Sequence, residues 1–214
     1  MKKSAQLSIT LMRHGLSTAN QAGIVQGQLD YPLHKEGKDQ ARRLGEFWYA
    51  QGRVYETIIC SPLQRALETA KHIASILTVP IIEEPLWMER RFGEAEGLPY
   101  EQVRKKIDSL ARPISSTDPV FNNGESEWDL FNRASQAIQL ILQKGWKSSL
   151  VVSHGGILSA ALQSIFGIQP TISEIRPSGF KFNNTGFTDI AFDLKTSQWQ
   201  IISHNAQPHL ELDP

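Results

Sequence analysis

The chain has 214 residues, 40% of them hydrophobic, and its 22 Lys+Arg balance 22 Asp+Glu for a formal charge of +0. That length and apolar content suffice for one α/β domain over residues 1–214 with no linker, and a balanced charge without a long basic run excludes a nucleic-acid surface. A single cysteine rules out intramolecular disulfides and fits a reducing cytoplasm, the expected location. Met1-Lys2-Lys3 has the start of a signal-peptide pattern, but the apolar stretch behind it is too short, and no other stretch is long enough to span a membrane.

In chain order, the apolar run Leu7-Ser8-Ile9-Thr10-Leu11-Met12 reads as a strand that ends at Arg13-His14-Gly15. Sheets of the α/β kind bind ligands at such ends. Arg13 supplies a permanent cation for phosphate oxygens and Gly15 lets backbone amides approach the same group, so His14 between them is suited to attack at phosphorus. Alone, the tripeptide more often marks a hydrogen-bonded structural histidine. A helix is expected at about 35–51 and a strand at 56–60, running into Ser61-Pro62-Leu63-Gln64-Arg65. Pro62 suits the first turn of a helix over 63–77, with Arg65 one turn further in. A short strand follows near Ile81-Ile82.

Residues 98–125 break the alternation: Arg112-Pro113-Ile114-Ser115-Ser116-Thr117-Asp118-Pro119 has two prolines and no apolar period, and the segment reads as an active-site loop. Ser126-Glu127-Trp128-Asp129 has capping-box form and opens a helix to about Gln143, with Trp128, Phe131, Ile138 and Leu142 near one face. The run Ser149 to Ser153 is a second strand that delivers a histidine, His154-Gly155-Gly156, ahead of a helix from Ile157 to Phe166. Phe180-Lys181-Phe182, Thr188 to Phe192 and Trp199 to Ile202 read as strands that extend the sheet. In a parallel sheet the polar turns open on one edge, so Arg13, His14, Arg65 and His154 are expected to converge into a pocket for a dianion.

These segments resemble the histidine phosphatase superfamily, the group that contains the cofactor-dependent phosphoglycerate mutases. Leu11 to Asn20 is similar to its opening motif, Ser61 to Ala70 to its second, and Ser153-His154-Gly155-Gly156 to its last. Glu89-Arg90-Arg91-Phe92-Gly93 with Glu96-Gly97 resembles its proton-donor segment, and Gly124-Glu125-Ser126 a further motif that opens a helix. The resemblance implies a three-layer sandwich, with a mostly parallel central sheet flanked by helices. It implies a phosphatase in which neutral His14 attacks a phosphate monoester, Arg13, Arg65 and a protonated His154 hold the equatorial oxygens, and Glu89 protonates the leaving oxygen. Such an acid needs burial or neighbouring negative charge to hold its proton. The alternative for Glu89 is a salt bridge to Arg90 or Arg91. Asn20, Gln26, Gly27 and Gly155 match positions that contact the phosphoryl group or substrate in relatives; the alternative for them is turn chemistry.

No cofactor or metal is expected: His34, His72, His204 and His209 lack metal spacing, and P-loop, GxGxxG and GxSxG patterns are absent. Cys60 to Arg65 is one residue too short for the cysteine-phosphatase loop, which leaves Cys60 as a core residue. A small phosphorylated molecule is the expected partner. A mutase is the alternative activity, but mutases generally carry a longer insertion before Gly-Glu-Ser, with Trp where Ala19 stands and Tyr where Phe92 stands. Arg90, Arg91, Arg104, Lys105, Lys106 and Arg112 remain available for a second acidic group, although an exposed charged face is the commoner explanation. A catalytically inactive binding module is the third reading, opposed by the intact Arg13, His14, Arg65, Glu89 and His154.

Overall fold

Strand β1 (Gln6–Arg13) buries Leu7, Ile9, Leu11 and Met12, so both of its faces are apolar. A strand of that kind belongs inside a sheet covered on both sides. In the computed structural model, which describes residues 6–109, 115–170 and 179–211, β1 lies within a six-stranded sheet of order β3-β2-β4-β1-β5-β6. Here β2 is Thr57–Cys60, β3 Ile81–Glu83, β4 Ser148–Ser153, β5 Phe187–Asp193 and β6 Gln198–Ala206. The first four run parallel, β5 returns antiparallel along β1, and β6 antiparallel along β5.

Alternation along the strands divides the core into two layers. Ile9, Leu11, Ile59 and Val151 face α5 (Glu127–Lys144) and α6 (Gly155–Ile165), meeting Ile138, Ile141 and Leu158. Met12, Ile58, Leu150 and Val152 face α2 (Lys35–Ala50) and α3 (Gln64–Leu77), meeting Leu44, Trp48 and Ile73. The result is the expected α/β sandwich, with helices on both sides of the sheet.

Four expectations change. Residues 98–125 contain a helix, α4 (Tyr100–Asp108), held by a short stripe of Val103 and Ile107 that packs with Val25, Ala95 and Phe92. Arg112, Pro113 and Ile114 lie outside the described residues. Phe180-Lys181-Phe182 is not a strand: Phe182 is a core anchor, and its carbonyl accepts from Arg13 instead of joining a ladder. The buried face of α5 is Leu130, Ala134, Ala137, Ile138 and Ile141, while Trp128 and Phe131 pair edge to face at 5.5 Å on its rim. Finally, α3 starts after Pro62, with Leu63 as its cap, so Arg65 sits in the first turn. Ser126 and Asp129 form the capping box of α5 as the sequence predicts.

Candidate active site

The four residues predicted to converge come from the end of β1, the first turn of α3 and the β4–α6 junction, all at one sheet edge. His14 is 2% exposed, and its Nδ1 lies 2.7 Å from the Gly15 carbonyl. A carbonyl only accepts, so Nδ1 carries the proton and Nε2 the lone pair. Burial, then the Arg65 and Arg13 guanidinium groups, holds His14 well below the usual imidazole range, which keeps it neutral. The Gly15 amide donates to Thr69 Oγ1 at 3.0 Å, and Thr69 in turn donates to the Arg65 carbonyl at 2.7 Å. Gly15 is required because a Cβ would run into the backbone of Gly37. Its role is therefore close packing, not the approach of its amide to phosphate.

Arg65 is 1% exposed. Its Nη2 donates to the Gly27 carbonyl at 2.7 Å, its Nη1 to the Leu29 carbonyl at 2.9 Å, and its Nε to His154 Nδ1 at 3.2 Å. Burial lowers its pKa to about 10, which still leaves a cation at neutral pH. The bond to His154 overturns the expected protonated state of that residue. Arg65 occupies the Nδ1 lone pair, so the proton is on Nε2, 2.8 Å from Ser61 Oγ, and burial followed by Arg65 holds His154 neutral. The two imidazole rings meet at 5.1 Å between centroids, at 60° to one another. Arg13 donates from Nη1 to the Phe182 carbonyl at 2.9 Å, while its Nε is buried without a hydrogen-bond partner among the described residues.

Glu89 lies between two single-turn helices, Pro85–Trp87 and Gly93–Ala95. Its Oε2 accepts from the Gly156 amide at 3.1 Å, and its Oε1 from the amides of Ile157 at 3.2 Å and Arg90 at 2.8 Å. The carboxyl thus meets the N-terminus of α6, beside His154. A salt bridge to Arg90 is not formed: that guanidinium pairs with Glu127 and donates to the Glu125 carbonyl. The glycine requirement here falls on Gly156, where a Cβ would press on Glu89, whereas one at Gly155 would touch Arg13 only at 3.9 Å.

Asn20 Oδ1 caps α1 (Thr18–Gln21) by accepting from the Ser17 amide at 3.3 Å, and Ser17 Oγ lies 2.8 Å from Gln26 Oε1. Gly27 combines a φ of +51° with a Cβ position occupied by Glu96, so turn chemistry and site packing coincide there. Arg104 and Lys105 pair with Asp108 and Glu101 along exposed α4, as a charged face does. Sequence reasoning missed Ser61 and Thr69, both inside the second motif. It missed Asn184, which donates to the His14 carbonyl at 3.0 Å and has no local signature, and Tyr100, whose charged neighbours are Arg13, Glu89 and Arg65. No group of three His, Cys, Asp or Glu able to hold a metal ion occurs among the described residues. Among those residues, no helix is long and apolar enough to cross a membrane.

The pattern of the histidine phosphatase superfamily (branch 1) matches residues 9–207. The chain belongs to that superfamily. An uncharacterized phosphatase of Bacillus subtilis, PhoE, is 31% identical over 204 residues, covering 95% of this chain and 96% of that one. A metal-independent phosphoserine phosphatase of Arabidopsis thaliana is 33% identical over 163 residues, 74% of this chain and 68% of its own. Proteins named as probable phosphoglycerate mutases match too, one from Yersinia enterocolitica at 30% over 212 residues, 96% of each chain. Among solved structures, the phosphoserine phosphatase of Entamoeba histolytica in complex with 3-phosphoglyceric acid superposes with a TM-score of 0.76 at 27% identity, covering 95% of this chain and 99% of that one.

Proposed function

We propose that this histidine phosphatase hydrolyses small phosphate monoesters without a metal ion, through a phosphohistidine on His14. The observation that carries the reading is the fixed tautomer of a neutral His14, whose Nε2 lone pair is free for attack beside the guanidinium cations of buried Arg65 and half-buried Arg13. Nε2 forms the bond to phosphorus as the ester P–O bond breaks, and Glu89 gives its proton to the departing oxygen. Arg13 and Arg65 balance the charge on the equatorial oxygens, and His154, which accepts from Arg65 Nε and gives its Nε2–H to Ser61 Oγ, orients the Arg65 guanidinium. Water then attacks phosphorus, the P–N bond breaks, the Glu89 carboxylate takes the water proton, and phosphate leaves with His14 restored.

Asn20, Gln26, Gly27 and Gly155 are assigned to the phosphoryl side of this site, and Tyr100 of α4, whose charged neighbours include Arg13 and Glu89, to the leaving-group side. Residues 1–214 act as one domain, with a cytoplasmic location suggested by the single cysteine. Hydrolysis is favoured over mutase activity because the interval before Gly124 is short, Ala19 and Phe92 replace polar contacts, and Arg90 is engaged by Glu127. Rapid acid or alkaline quench after mixing with a radiolabelled phosphate ester tests the reading. An acid-labile, base-stable adduct should appear on the peptide containing His14 and vanish in His14→Ala; label retained in that variant would refute it.

A further inference from the structure

Glu89 sits where no helix or strand fixes the backbone. A general acid must nevertheless be placed to within a fraction of an ångström of the oxygen it protonates. The stretch around it is gripped from α5. Arg133 Nη1 donates to the carbonyls of Leu86 at 2.9 Å and Met88 at 2.6 Å, and Nη2 to that of Glu89 itself at 3.1 Å. The remaining contacts of the guanidinium are a bidentate pair with Glu125, at 2.8 Å from Nε and 2.7 Å from Nη2. Glu125 also accepts the Arg91 amide at 2.8 Å. All five N–H donors of an arginine are thereby used, and a lysine has neither the number nor the planar fork to replace them.

Both partners are mounted on one rigid element. Glu125 directly precedes the Ser126 cap of α5, and Arg133 lies on that helix between the buried Leu130 and Ala134. The pair is nearly buried, with side-chain exposures of 16% and 11%. A buried ion pair is weak evidence for stability. This one directs three of its donors to the Leu86, Met88 and Glu89 carbonyls of the segment that carries the acid, while the acid's own oxygens are held at the N-terminus of α6.

We propose that Arg133 and Glu125 form a positioning clamp that sets the Glu89 carboxyl against the leaving oxygen, so that proton delivery depends on the clamp and phosphoryl capture by His14 does not. This rests on the assignment of Glu89 as the acid. Arg133 and Glu125 are positioning residues, since neither touches the reacting atoms.

The test compares an alkyl phosphate, whose leaving oxygen needs a proton, with 4-nitrophenyl phosphate, which leaves unaided, under conditions where phosphoenzyme formation limits the rate. Arg133→Lys should lower kcat/KM for the alkyl ester by about 10- to 100-fold and for the nitrophenyl ester by no more than about threefold. In a Glu89→Gln background it should add nothing to the alkyl loss. Equal losses on both esters, or a loss that multiplies with that of Glu89→Gln, would overturn the clamp and leave a merely structural pair. If Arg133→Lys does not fold, Glu125→Gln carries the same expectations. A Glu89→Gln variant that slows both esters alike removes the acid assignment and the clamp with it. A Glu89→Gln loss confined to the alkyl ester, beside an Arg133→Lys loss that is uniform, removes the clamp alone.

Discussion

Replacing Thr69 with valine should damage both stability and phosphoryl capture, although Thr69 never meets the substrate. Valine has the same shape, so no cavity forms and the whole effect falls on the hydroxyl. That hydroxyl accepts the Gly15 amide at 3.0 Å and donates to the Arg65 carbonyl at 2.7 Å, with Thr69 itself 0% exposed. The Arg65 carbonyl keeps its place in α3, but the buried Gly15 amide is left unpaired, at a cost of about 1–3 kcal/mol. For a domain of this size, about 2 kcal/mol corresponds to a fall in Tm of roughly 4–8 °C. Thr69→Ser keeps the hydroxyl and loses one methyl group, about 1 kcal/mol. Valine should therefore be the worse of the two. The freed peptide also carries the backbone beside His14, so the phosphohistidine burst should slow by about tenfold in valine and little in serine. Thermal unfolding with rapid-quench labelling of the three proteins checks this. A valine variant as stable and as fast as the parent, or a serine variant that is the worse, would show that the Gly15 amide does not depend on Thr69.

Burial depresses His14, His154 and His209, the last to about 4, whereas unfolded histidines titrate near 6.5. Below that value the unfolded chain binds protons that the fold refuses, so stability is full above pH 6.5 and declines toward pH 4, by up to about 1.4 kcal/mol per pH unit for each fully buried histidine. Urea midpoints measured across that range should fall with pH; a flat profile would contradict neutral buried imidazoles. Prolonged EDTA treatment should leave turnover unchanged, and vanadate should inhibit competitively, because Arg13 and Arg65 supply the positive charge that divalent ions supply elsewhere. Loss of activity on chelation that zinc or magnesium restores would refute that electrostatic account.

The parallel half of the sheet was legible because β1, β2 and β4 are short, mostly apolar runs that lead into polar residues, which also exposed Arg13, His14, Arg65 and His154. Less regular parts were not. Helix α4 rests on Val103 and Ile107 alone, too thin a stripe to read, and the aromatic pair at 180 and 182 imitates strand alternation while serving as a core anchor. On α5 the large aromatics drew attention from Ala134 and Ala137, the small residues that face the core. The state of His154 is set by a proton donor 89 positions away in the chain, which no local pattern announces. Asn184 and Arg133 act through backbone carbonyls that any residue supplies, so the partners leave no mark in the sequence.

The place of β1 in the sheet has a consequence for biosynthesis. The strand that leads into His14 is made first, yet its two neighbours are β4 and β5, which start at Ser148 and Phe187. At ribosomal rates of about 5–20 residues per second, an apolar strand waits on the order of ten seconds for its first partner. Until then its ladder groups and its apolar side chains are open to other chains, the condition under which edges aggregate and chaperones bind. Ribosome-bound chains halted before residue 148 should be protease-sensitive throughout β1, and chains halted beyond Asp193 with room to clear the exit tunnel should be protected there. Protection of β1 in the shorter chains would mean that it finds a temporary partner absent from the finished sheet.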